Sequence, residues 1–146
     1  MLRRALLATL PLALAASAAQ ASEGPKVEVG QYVDLSPVAM PIVVRGQLVN
    51  YVFVYVRINL TNSANMLKLR DKEPFFRDAL VRAGHRTPFV KADDYQVVDA
   101  ARLCATLKQQ AISIAGPGAI QSVVVTSQAP MKRIPPPKPR SAVGRS

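Results

Sequence analysis

The sequence predicts an α+β domain, a small antiparallel or mixed sheet covered on one face by two or three helices. Leu48 to Leu60 is a long run of Val, Ile, Tyr and Phe without Gly or Pro, the composition of a central strand. Two later segments, 64–83 and 93–114, carry apolar residues at helical spacing, and a closing run centred on Val123-Val124-Val125 is again strand-like. Strands, then helices, then a last strand imply that the final strand rejoins the sheet laid down first.

In chain order, Arg3 and Arg4, an apolar stretch from Ala5 to Ala16, and Ala19-Gln20-Ala21 have the three zones of a secretory signal, with cleavage expected after Ala21. The stretch is rich in alanine and interrupted by Pro11, which argues against a spanning anchor. The general secretory route is preferred to twin-arginine export, and a periplasmic location follows. Val27, Val29, Tyr32, Val33 and Leu35 give a broken alternation for a first strand, closed by Ser36-Pro37. A second strand begins near Pro41 and runs through Val44 to a turn at Arg45-Gly46-Gln47.

Period two then sorts the central strand. Leu48, Val52, Val54, Val56, Ile58 and Leu60 share one face, with Asn50 as an exception, and Val49, Tyr51, Phe53, Tyr55, Arg57 and Asn59 share the other. Both faces are expected to be partly covered. The stripe Tyr51, Phe53, Tyr55 suits a binding platform, or packing under a second layer or a protein neighbour, and packing is the preferred account.

In the segment 64–83, Phe76, Ala79, Leu80 and Ala83 recur at helical spacing. Pro74 predicts a kink or a second helix starting there, and Gly84 is expected to terminate it. Asp93 with Gln96 reads as a capping box for the next helix, whose apolar stripe is Ala100, Leu103, Cys104, Leu107, Ala111 and Ile114. Gly116-Pro117-Gly118 ends it, and the last strand is Ile120 to Gln128.

The domain is thus bounded as 22–129, and 130–146 is a basic Pro-rich tail expected to be extended and disordered. The formal charge of +10 is concentrated there: Lys132, Arg133, Lys138, Arg140 and Arg145 face no acid, whereas 22–131 carries 12 basic and 9 acidic residues. Basicity confined to a tail argues against a folded nucleic-acid-binding face and makes the tail a candidate for an anionic envelope partner. Since it holds no predicted core residue, loss of everything after Ala129 is expected to cost less than about 1 kcal/mol.

Catalytic chemistry finds little support. Nucleophilic catalysis needs converging groups, and the chain has a single His85, placed just past a helix end, and a single Cys104 in an apolar stripe. No cluster supplies a zinc ligand set. Asp93-Asp94 is explained by a helix start, and Gly116-Pro117-Gly118 lacks the lysine and following helix of a phosphate loop. No enzyme activity and no cofactor are expected.

Four motifs, taken together, resemble the periplasmic domain of the flagellar basal-body-associated FliL family: Tyr32-Val33-Asp34-Leu35, Val54-Tyr55-Val56-Arg57-Ile58-Asn59-Leu60, Glu73-Pro74-Phe75-Phe76-Arg77-Asp78-Ala79-Leu80, and Val123-Val124-Val125-Thr126-Ser127-Gln128. The resemblance implies a stomatin-like (SPFH-like) fold and a non-catalytic protein that self-associates laterally around a flagellar stator or basal-body protein. On it, the candidate self-association or partner surface is Tyr51, Phe53 and Tyr55 on the strand with Arg77 and Asp78 on the helix. Family members usually keep an N-terminal transmembrane helix and end soon after the last strand, whereas this chain has a cleavable signal and a basic tail. The alternative from another class is a periplasmic module that binds an anionic envelope polymer.

The signal reading has a direct check. The exported protein should begin at Ser22, as read by N-terminal sequencing or intact mass of the periplasmic fraction; a start at Met1 with membrane retention would contradict it.

Overall fold

The computed structural model describes residues 30–138. The leader, Val27 and Val29 of the expected first strand, and Arg140 and Arg145 of the tail lie outside them. The elements run β1 (Tyr32–Asp34), β2 (Val38–Val44), β3 (Gln47–Leu60), α1 (Met66–Asp71), α2 (Glu73–Arg86), α3 (Ala100–Ala115) and β4 (Ile120–Pro130). They form the expected α+β architecture, a four-stranded open antiparallel sheet with three helices packed against it.

β3 is the centre of the sheet, and β1, β2 and β4 all pair with it. β4 runs beside Val52 to Leu60, a span that overlaps the stretches paired with β1 and with β2. A strand has only two hydrogen-bonding edges, so β1 and β2 lie end to end along the edge opposite β4. Ser36-Pro37 is thus a break within one long edge strand, and the Ser36 N–H left over there donates to Glu73 Oε1 at 2.9 Å, tying the break to α2. β2 and β3 are joined by a two-residue turn in which Arg45 and Gly46 both have positive φ, 52° and 75°. That is the twist-matched hairpin turn, and Gly46 supplies the left-handed conformation without strain.

Alternation along β3 decides where the core sits. Asn50 and every even-numbered residue from Val52 to Leu60 are buried. From the helices, Phe76, Leu80, Leu103, Leu107 and Ala111 close over them, and Met40 and Ile42 join from β2. Leu48, expected on this face, is 52 % exposed. The register slips between Ile42 and Val43, so β3 carries one extra residue there and the hairpin end is re-aimed away from the core.

Pro74 starts a second helix rather than kinking a continuous one. Lys72 closes α1 and precedes α2, and Pro74 falls in the first turn, where its missing N–H has no helical acceptor to lose. Two helix ends differ from expectation. Gly84 does not terminate α2, which continues to Arg86 and is capped at Thr87. Instead Gly84 is buried where a Cβ would stand 2.5 Å from Met40 Sδ, so the buried Met40 side chain of β2 occupies the space a larger residue would need. The cap of α3 is Asp99, whose side chain accepts from the Arg102 N–H at 3.2 Å. Asp93 and Asp94 lie earlier, in the loop, where Asp94 Oδ1 accepts from the Gln96 N–H at 2.8 Å and makes a local turn.

The Gly84 contact predicts a sign reversal. Gly84→Ala gains about 1 kcal/mol of helix propensity but overpacks a filled site at about 1–3 kcal/mol, so the single variant should be net destabilised in urea unfolding. In a Met40→Ala background the obstructing sulfur is gone, and the same Gly84→Ala change should stabilise.

Candidate functional site

One face of the sheet is packed under the helices and the other is open. On the open face β3 presents Tyr51, Phe53, Tyr55, Arg57 and Asn59, and neither β1, β2 nor β4 shields them fully: Phe53 is 37 % and Tyr55 41 % exposed. The expected second layer over this stripe is not formed by any described residue. Across from Phe53 stand only Ala39 on β2 and Ala129 on β4, and across from Tyr55 stands Ser127. Small neighbours leave the rings proud of the surface. Pro41, opposite Tyr51, is buried, and Val124, opposite Arg57, is 39 % exposed and extends the apolar strip toward β4.

The far end of the same face is polar and internally paired. Arg57 grips Asp34 with two parallel hydrogen bonds, Nε to Oδ1 at 2.7 Å and Nη2 to Oδ2 at 2.9 Å, and its guanidinium lies 3.8 Å from the centre of the Tyr32 ring. Hydrogen bonding to Asp34 raises the Arg57 pKa above its ordinary value, against an opposing effect of desolvation. Asn59 Nδ2 donates to Ser122 Oγ at 2.9 Å beside it. The open face thus grades from exposed aromatic rings to a fixed Tyr-Arg-Asp stack. Its polar end is invisible to periodicity alone, because the Asp34–Arg57 pairing follows from the β1–β3 register.

Arg77 and Asp78 are not part of this surface. α2 packs Phe76, Ala79 and Leu80 into the core and therefore lies on the covered side of the sheet. Arg77 and Asp78 do not pair with each other: Arg77 reaches back to Glu73 at 3.6 Å, and Asp78 pairs forward with Arg82 at 3.0 Å. The five residues taken as one candidate surface are therefore split between the two sides of the sheet. Leu67 on α1 and Phe75 on α2 are also exposed, at 71 % and 63 %.

Asn50, the polar exception on the buried face, holds the start of the tail. Its Nδ2 donates to the Tyr95 carbonyl at 3.1 Å and to the Lys132 carbonyl at 2.9 Å, and its Oδ1 accepts from the N–H groups of Tyr51 at 2.9 Å and Lys132 at 3.1 Å. Both donor hydrogens and both lone pairs of a side chain only 3 % exposed are thereby used. The Met131 N–H adds a bond to the Tyr51 carbonyl at 2.8 Å. The boundary between domain and tail accordingly falls after Lys132, not after Ala129, and β4 itself reaches Pro130.

The groups weighed for catalysis lie apart. His85 sits inside the last turn of α2, not past its end, with Nδ1 2.8 Å from the Val81 carbonyl. Cys104 is half-buried on α3; desolvation raises its pKa, and a hydrogen bond from the Val125 backbone lowers it in part, so the thiol form is favoured. Among the described residues no group of three or more His, Cys, Asp or Glu side chains converges on a metal-sized site. A shallow open groove of about 80 Å³ lies between α2 and α3, lined by Ala79, Arg82, Ala83, Arg86 and Gln110. No helix among the described residues is long and apolar enough to cross a membrane.

No protein-family model matches the chain, and no curated protein matches it by sequence.

The Asn50 clamp revises the cost of losing the tail. Truncation after Lys138 should leave urea stability within about 0.5 kcal/mol, whereas truncation after Ala129 strands buried Asn50 atoms and should cost about 1–3 kcal/mol. Asn50→Asp, which replaces two donors by acceptors facing the Tyr95 and Lys132 carbonyls, should cost at least as much at neutral pH.

Proposed function

We propose that the protein is a non-catalytic accessory protein of the bacterial envelope, FliL-like in character, that works by self-association through its open sheet face. The observation that carries this reading is the row Tyr51, Phe53 and Tyr55, continued by Val124, in which Tyr51 is half-buried and the other three are exposed, on a sheet whose opposite face is packed under the helices. A sheet face of this composition gains free energy when a second surface covers it, at about 25 cal/mol per Å² of apolar area removed from water. Aromatic rings standing above small neighbours are suited to interdigitate with a partner. The Tyr32-Arg57-Asp34 stack at the far end sets orientation more than affinity, since a paired and exposed charge steers and registers a partner without adding much binding energy.

The resemblance to the FliL family supplies the setting: a stomatin-like domain in the periplasm, gathered around a flagellar stator or basal-body protein. Single contacts between such faces are weak and gain strength when a ring closes or a partner collects the subunits. The alternative, a module for an anionic envelope polymer, draws on the α2–α3 groove with Arg82 and Arg86 and on the cations of the tail. Arg82 is already paired with Asp78, which leaves the groove less cationic than its composition suggests.

Crosslinking in intact cells should yield a ladder at multiples of the mature mass together with heavier products containing another envelope protein. A Phe53→Asp, Tyr55→Asp variant should lose the ladder while keeping its melting temperature within a few degrees, because both side chains are exposed. In a flagellated host, deletion of the gene should impair swimming. Monomer alone on crosslinking, with normal motility in the deletion strain, would reject this reading, and salt-sensitive pelleting with anionic polymer would then support the alternative.

A further inference from the structure

We propose that the proline-rich segment Arg133–Lys138 of one copy docks on the row Tyr51, Phe53, Tyr55 of a second copy. The proposal rests on the self-association reading above and names the segment that fills the open face.

The chemistry of the two surfaces is matched. Pro135, Pro136 and Pro137 fix their own φ and offer no N–H, so the segment has no means of adding to the sheet by hydrogen bonds and takes the polyproline conformation, with three residues per turn. Such a helix is recognised by exposed aromatic rings, because it is already ordered and little entropy is lost on binding. In the structure no helix or strand covers residues 133–138, and Ile134 and Pro137, one turn apart, are half-buried. That leaves Arg133, Pro135, Pro136 and Lys138 outward, two prolines flanked by two cations. Arg133 to Lys138, five rises of about 3.1 Å, spans about 16 Å, and Tyr51 to Tyr55 spans about 13 Å of strand, so one segment covers the row with a cation at each end. A guanidinium over a tyrosine ring is a contact the same face already makes, between Arg57 and Tyr32.

The tail of a given copy is directed away from its own aromatic row. Asn50 points to the helix-covered side of the sheet, and it holds both the N–H and the carbonyl of Lys132. The chain bends at Met131 and Lys132, where the Lys132 carbonyl shares the Asn50 Nδ2 donor with the Tyr95 carbonyl on that side. Phe53 and Tyr55 lie on the opposite face, and three consecutive prolines keep the segment from doubling back. The remaining aromatic row of matching length and composition is that of a neighbouring copy.

The test is a complementation measured by sedimentation on the chain from Ser22. The tail variant is Pro135→Gly, Pro136→Gly, Pro137→Gly, which keeps length and charge; the face variant is Phe53→Ser, Tyr55→Ser, which keeps the tail. Each alone should associate at least about tenfold more weakly than the parent chain. Mixed, they should form a one-to-one pair, because the mixture holds one intact tail and one intact face. Matched melting temperatures of all three chains exclude unfolding as the cause. If the tail variant associates as strongly as the parent while the face variant does not, self-association through the face stands and tail docking falls. If the mixture forms no pair, tail docking also falls. A parent chain that stays monomeric at every concentration overturns both.

Discussion

The pleat of β3 governs the molecule. Because side chains alternate strictly along this 14-residue strand, placing Val52, Val54, Val56, Ile58 and Leu60 under the helices necessarily turns Tyr51, Phe53 and Tyr55 the other way. The core and the open face are two aspects of one periodicity, and neither can change without the other. Slipping the register by one residue would bury the aromatic row and expose the aliphatic one, which the filled contacts of Phe76, Leu80, Leu103 and Leu107 forbid.

Much of this was legible in the sequence, and the limits have physical causes. The run from Leu48 to Leu60 announces both its strand character and its two faces, and the stripe containing Leu103, Leu107 and Ala111 announces the face that α3 buries. Reading Gly84 as a helix end failed because a glycine needed for close approach and one needed for a left-handed cap look alike in sequence; only the position of Met40 separates them. Asp93 with Gln96 mimicked a capping box, while the true cap, Asp99, is followed by Arg102 at the position where the motif has an acid or amide. Grouping Arg77 and Asp78 with the aromatic row failed because which side of a sheet a helix covers is settled by tertiary packing. Cover on the open face was expected from its aromatic content, yet apolar residues on a strand do not say whether the chain itself supplies the partner.

Asn50 is the most informative single exception. A buried polar residue in an apolar alternation signals a partner, and its main partner lies 82 residues away in a segment whose composition reads as unstructured. The arrangement converts a proline-rich terminus from a loose appendage into one with a fixed point of departure. Where the tail leaves the domain, and on which side of the sheet, are thereby properties of the fold rather than of the tail.

The end-to-end placement of β1 and β2 has a consequence for how copies can grow together. With those two strands on one side and β4 on the other, β3 is flanked on both edges over most of Val52 to Leu60, and the sheet's outer edges there belong to interrupted strands. One edge is broken at Ser36-Pro37 and lacks a backbone donor at Pro41; the other carries bulges at Thr126 and Gln121 and ends at Pro130. Such edges are poor templates for another strand. Ribbon-like extension of the sheet into fibrils is therefore discouraged.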